Sequence, residues 1–339
     1  MRVTAPPQVR EPEDLSFLST AHLAEGALEI DLTDVEWISP LGVVAVLATC
    51  LRADRTLGPI VNLPTNLEAR TYLAQIRLLD EISRHGWILT SESPTRRRQR
   101  LWAETGDILS QLEQSGWMEI KDSLLGSSGT PSLDRRDWSE IDDIDIDPSI
   151  TIGPHLPVSR LVTDSEVESA GNILTDALSR AGLSGGLGDD LWTIAAELSA
   201  NGREHGDDCY VVAQTYTGRR SGTPGVHIAV ADFGVGFAKR LRQHHGDMPD
   251  AEAILHGFRE RVSGTGRSDK GNGLGYVSEA IDRHPDNTLH VVSNTGHVLR
   301  SGGQLQVVQG VQFQGTLASA FLPLPPDSVS LHPREVRRP

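Results

Sequence analysis

Residues 27–53, ALEIDLTDVEWISPLGVVAVLATCLRA, change rhythm twice. A short strand at the start gives way to a turn at Ser39-Pro40, and an apolar helix then runs to Arg52. GPIVNLP predicts a second short strand, and NLEARTYLAQIRLLDEI a second amphipathic helix. Strand and helix alternating at this spacing predict a small α/β domain over residues 1–90. The pattern weakens between 91 and 155. There LLGSSGTPS (124–132) reads as linker and DWSEIDDIDIDPS (137–149) as a strongly acidic stretch. Periodicity returns in SEVESAGNILTDALSRAGL and, after a glycine-rich break, in LWTIAAELSANGREH, both helical. The runs CYVVAQTYT, GVHIAVADF, TLHVVSNTG and QGTLASAFLPL then predict strands, so a second domain is expected over 156–325. Residues 326–339 read as a disordered tail.

Composition narrows the class. No stretch of the 339 residues is apolar enough to span a membrane, and the charged, proline-bearing N-terminus has no signal-peptide core. Two distant cysteines, Cys50 and Cys209, argue against a disulfide framework or structural zinc and suit a reducing cytoplasm. A net charge of −15 disfavours a nucleic-acid binder. TRRRQR (95–100) is the one basic cluster and reads as a solvated face. DIDID lacks the glycine and closing glutamate of a calcium loop.

The candidate chemistry lies in ELSANGREHG, where Glu197, Asn201 and His205 stand at i, i+4 and i+8 on one helical stripe. Two glycine boxes follow. DFGVGF (232–237) ends an apolar strand, and GNGLGY (271–276) opens a helix. The segment of over thirty residues between them is expected to form a mobile lid. No GxxxxGK[ST] sequence is present, which excludes a P-loop.

This series, together with GTLASAFLPL (315–324) as a closing strand, resembles the GHKL superfamily of ATP-binding domains. The resemblance covers roughly residues 165–325. It implies an α/β sandwich, a mixed sheet packed on helices, that binds ATP and Mg²⁺. The residue chemistry agrees with it. Asn201 offers an amide oxygen to magnesium, and Glu197 could activate a hydroxyl or water. Asp232 could accept from the adenine amine, with Gly234 and Gly236 letting the backbone come close. Gly271, Gly273 and Gly275, with Leu274 between them, would bare N–H groups to phosphate at a helix N-terminus. The resemblance implies the same roles and puts Thr316 near the adenine. His205 reads as a structural hydrogen-bonder or a catalyst. Arg267 and Lys270 read as phosphate contacts or solvated charges.

Glu-x-x-x-Asn-x-x-x-His, without a phosphoacceptor His box upstream, looks most like the anti-sigma-factor serine kinase branch. The segment IDLTDVEWISPLGVVAVLATCLRA is similar to the STAS core, whose turn carries a phosphorylated serine. Here that position is Leu41, which has no hydroxyl, and Ser39 is either an acceptor or a helix cap. The resemblance therefore implies a Mg-ATP-dependent regulator that transfers phosphate to a serine or threonine of a protein partner. The alternative is an ATP-gated interaction module or slow ATPase whose STAS-like domain docks a partner or a second copy. A homodimer is open on this reading.

Overall fold

Ser39 sets the point at which the apolar run becomes a helix. Its Oγ accepts from the Gly42 N–H at 3.3 Å and donates to the Arg10 carbonyl at 3.1 Å. Pro40 takes the first helical position, where no N–H is needed. The computed structural model describes residues 1–21, 27–53, 58–90, 154–180, 186–206, 209–217, 224–259 and 273–324. TRRRQR, the acidic DIDID stretch and the C-terminal tail lie outside them.

Helix α1 (Pro40–Arg52) follows four short strands: β1 (Arg2–Thr4), β2 (Gln8–Val9), β3 (Glu29–Asp31) and β4 (Trp37–Ile38). With β5 (Ile60–Asn62) and β6 (Ile88–Thr90) they form a four-stranded parallel sheet, ordered β1-β3-β5-β6, and a small parallel β2–β4 pair. Between β5 and β6 the chain makes two helices, α2 (Leu67–Gln75) and α3 (Leu78–Arg84), where the sequence predicts one. Arg77 separates them in the left-handed conformation, φ 64°, and this break lets both Ile76 and Leu78 reach the core.

The C-terminal half is built on seven strands: β7 (Pro154–Leu161), β8 (Cys209–Thr217), β9 (Pro224–Asp232), β10 (Thr288–Asn294), β11 (Gly296–Ser301), β12 (Gln304–Val308) and β13 (Phe313–Pro323). Their order is β12-β11-β10-β13-β9-β8-β7. Every pairing is antiparallel, where the resemblance implies a mixed sheet. Tight links account for part of this: β10, β11 and β12 are joined as hairpins. The helices are α4 (Asp164–Arg180), α5 (Gly186–His205), α6 (Phe237–His245), α7 (Asp250–Gly257) and α8 (Gly273–Asp282). A Thr163–Glu166 capping box starts α4: Glu166 Oε2 accepts from the Thr163 N–H at 2.8 Å, and Thr163 Oγ1 accepts from the Glu166 N–H at 3.3 Å.

Strand alternation divides the seven-stranded sheet between two cores. Val211, Ile228, Val230, Val291 and Ala318 pack with α4, α5 and α8. Tyr210, Val212, Ala229, Ala231, Val292 and Leu317 belong instead to the cluster that contains α1 and the parallel sheet. Helix α1 lies against β8, β9 and β13, and this explains why its side chains are buried almost all round. The chain is thus a layered α/β protein whose N-terminal half covers one face of the antiparallel sheet. Cys50 on α1 and Cys209 on β8 are buried and form no disulfide. Among the described residues, no helix is long and apolar enough to cross a membrane.

Candidate functional site

Helix α5 brings Glu197 and Asn201 to the start of α8. A methyl group on Gly273 would stand 2.6 Å from Glu197 Oε2 and 3.3 Å from Asn201 Nδ2, so only a residue without a side chain lets these groups meet the helix N-terminus. Both side chains are half-buried. Burial raises the Glu197 carboxyl above its ordinary value, which brings a potential proton acceptor closer to neutrality. An acid, an amide and the N-terminal end of a helix thus share one small volume, a combination suited to phosphate and a hard cation.

A second group forms where β9 ends. Asp232 is buried on the helix side of the sheet, in line with Ile228 and Val230. It pairs in register with Thr316 of β13. Its Oδ1 accepts from the Gly234 N–H at 2.8 Å, and the carboxylate also takes bonds from the Thr316 hydroxyl and backbone N–H. Burial pushes its pKa up to about 6; those bonds and the nearby Arg52 charge hold it from rising further. Gly315, at φ 101°, lets β13 close on Asp232, because any side chain there would overlap the Asp232 carbonyl. The loop then turns at Gly236, φ 81°, and is pinned when the Phe237 N–H donates to Ser293 Oγ at 3.0 Å and Asn294 Nδ2 donates to the Val235 carbonyl at 3.2 Å.

The two groups stand beside the same helix. A methyl at Gly202 on α5 would lie 2.6 Å from Cys209 Sγ, and one at Gly206, just past the helix, would lie 2.7 Å from Asp232 Cβ. The C-terminal turns of α5 therefore rest flush on β8 and β9. These glycines occur within the same ANGREHG stretch that carries Asn201, at a spacing of four, and this pattern was the available signal for a flush helix–sheet contact.

Glu197, Asn201 and Gly273 come together, as do Asp232, Gly234, Gly236 and Thr316. Leu274 turns its side chain into the core, leaving only its backbone for a ligand, and Gly275 borders open space. Gly271, Arg267 and Lys270 lie outside the described residues, as does the His205 side chain. The expected lid is folded over much of its length. Its first part forms α6 and α7, with Ala253 and Ile254 buried, and Asp250 Oδ2 accepts from the Thr295 N–H at 3.1 Å. Residues 260–272 lie outside the described residues. Sequence reasoning also passed over Arg52, whose guanidinium reaches the 232–236 loop from the N-terminal half. A single arginine ending a helix carries no sequence signal for such a contact. No protein-family model matches the chain, and no curated protein matches it either.

Proposed function

We propose that the chain is a Mg-ATP-binding regulator of the GHKL type, with a STAS-like N-terminal domain. The observation that carries this reading is the convergence of Glu197 and Asn201 on Gly273 at the N-terminal end of α8. Glu197 and Asn201 stand nine and five residues before Gly206, about 13 and 7 Å along the helix, and Gly206 lies against the buried Asp232. A ligand with anionic groups at one end and a hydrogen-bond donor at the other matches that polarity. The 273–275 backbone would take the phosphates and Asn201 the magnesium ion, which needs only one or two protein ligands when phosphate oxygens and water supply the rest. Magnesium supplies charge neutralisation on the phosphates. Asp232, supported by Thr316, would accept from the exocyclic amine of adenine.

Glu197 would then take the proton from an attacking hydroxyl as the terminal phosphoryl group passes to it and ADP departs. A protein serine or threonine in a partner is the acceptor on this reading. The turn that precedes α1 is not one: Leu41 has no hydroxyl, and the Ser39 hydroxyl is wholly buried and engaged at the helix cap. The second reading, an ATP-gated interaction module with slow hydrolysis, is favoured by the packing of the N-terminal half against the sheet that bears Asp232.

Purified protein with γ-labelled ATP and magnesium separates these readings, with Glu197→Ala and Asn201→Ala as controls. Label released as phosphate and lost in Glu197→Ala supports the gated ATPase. ATP binding without turnover supports a kinase that awaits its partner. Absence of ATP binding, or Mg-ATP affinity undiminished in Asn201→Ala, overturns the site.

A further inference from the structure

The last residue of α1 crosses from the N-terminal half to the loop that follows Asp232. Arg52 Nη2 donates to the carbonyls of Phe233 and Gly234 at 2.6 and 2.9 Å, while Nη1 donates to Gln314 Oε1 at 3.2 Å. One guanidinium thus ties together the end of β9 and the start of β13, the two segments that Asp232 and Thr316 come from. A planar fork with several fixed donors can hold such separated acceptors at once. The side chain also lines a cleft of about 310 Å³ between the two halves, with Thr49, Asn294, Thr295 and Gln314. The residue is exposed, and these three hydrogen bonds anchor its guanidinium.

Two consequences follow for Asp232. The Phe233 and Gly234 carbonyls fix the backbone whose N–H at Gly234 bonds Asp232 Oδ1. The guanidinium charge also favours the ionised carboxylate, the form that only accepts and accepts most strongly from an amine. Thr316 and Gly234 act on that carboxylate in the same sense, and burial opposes all three.

We propose that Arg52 is a positioning residue for base recognition, through which the seating of the N-terminal half on the sheet sets adenine affinity and selectivity. This rests on the reading of the site as an ATP site. It gives the STAS-like half a direct route to the nucleotide: a partner that shifts α1 withdraws the guanidinium and loosens the loop.

The test uses the full chain, with Arg52→Ala and Arg52→Lys beside wild type. Dissociation constants for Mg-ATP and Mg-ITP are measured by calorimetry, because inosine carries an oxygen where adenine carries its amine. Wild type is expected to prefer ATP. Arg52→Ala should lose about tenfold in ATP affinity, the scale of a charge-assisted hydrogen bond, with little change for ITP, so that the preference collapses. Arg52→Lys keeps the charge and the helix packing but not the fork, and should fall between. A merely structural role would weaken both nucleotides alike. Wild-type ATP binding with an unchanged ATP-to-ITP ratio in Arg52→Ala overturns the inference and leaves the ATP site standing. If Arg52→Ala does not fold, an unchanged ratio in Arg52→Lys does the same. A wild-type chain that binds neither nucleotide overturns the ATP reading, and this inference with it.

Discussion

Thr316 stands opposite Asp232 across the β9–β13 ladder, and its hydroxyl and backbone N–H both bond the Asp232 carboxylate. That carboxylate already sits at a pKa of about 6, raised by burial. Removing the hydroxyl in Thr316→Val should therefore raise it further and leave more of it protonated at pH 7. ATP affinity should fall several-fold at pH 7, on the scale of one lost hydrogen bond, and recover in part at pH 8 as the carboxylate ionises. Asp232→Asn should be weak at both values, since an amide has no ionised form to regain. Calorimetric titration at the two pH values checks this. A Thr316→Val deficit that is equal at pH 7 and 8 would show that the hydroxyl acts by another route.

The contact between Glu197 and Gly273 separates binding from chemistry. Glu197→Gln keeps the shape beside Gly273 but cannot take a proton. Phosphate release should drop by about a hundredfold or more, the range of a positioned base, with ATP affinity near wild type. Gly273→Ala should impair both, because its methyl would lie 2.6 Å from Glu197 Oε2 and 3.3 Å from Asn201 Nδ2. Turnover and binding measured on the same preparations distinguish the two patterns. Full turnover in Glu197→Gln would remove this residue from the mechanism.

Much of this site was legible because its signals are local. The four-residue spacing of Glu197 and Asn201 and the glycine boxes are readable one stretch at a time, and GVHIAVADF and QGTLASAFLPL declare their strands by apolar runs. What was not legible depends on long-range packing. PHLPVSRL hides β7 behind two prolines, which an edge strand tolerates. The break at Arg77 follows from the burial of Ile76 and Leu78, not from any turn residue. The GVVAVLA run announced an apolar helix but not that it would pack on the distant sheet of β8, β9 and β13.

Tyr210 tests the union of the two halves. It is wholly buried on β8; its hydroxyl donates to Glu81 Oε1 on α3 at 3.1 Å, and His85 Nε2 lies 3.2 Å away. Tyr210→Phe preserves the ring and leaves a buried acidic oxygen short of a donor, so stability should fall by about 1–3 kcal/mol. Because α1, the parallel sheet and the inner face of the antiparallel sheet share one apolar cluster, the loss should lower a single cooperative transition. Denaturant unfolding followed by tryptophan fluorescence and circular dichroism should give coincident curves. Two separated transitions, with only one displaced by Tyr210→Phe, would show that the halves unfold independently.

Acid should destabilise the fold through histidines that face the N-terminal half. His227 is buried beside Ser319 and held at about 3 by burial, with His290 adding to the effect. His290 is held at about 4 by burial and by His297, whose Nε2 lies 3.0 Å from its Nδ1. Glu11 and Glu13 of the N-terminal half face this pair, at 3.9 Å from His290 and 4.0 Å from His297. The ordinary value for both titrating rings is 6.5, so between pH 6 and 4.5 the unfolded chain binds two protons that the folded chain refuses. Asp232 acts in the opposite sense: its folded value of about 6 exceeds the ordinary 3.8, and the folded chain takes up one proton over the same range. His297 is lowered by burial as well, so the lowered histidines outnumber Asp232, and stability should fall on acidification through this window, by about 1.4 kcal/mol per pH unit for each net proton. His290→Gln removes one of these three rings and should make that slope shallower. Urea midpoints at pH 6, 5.5, 5 and 4.5 measure it directly, and a wild-type midpoint that holds steady or climbs toward acid would place these histidines in contact with water.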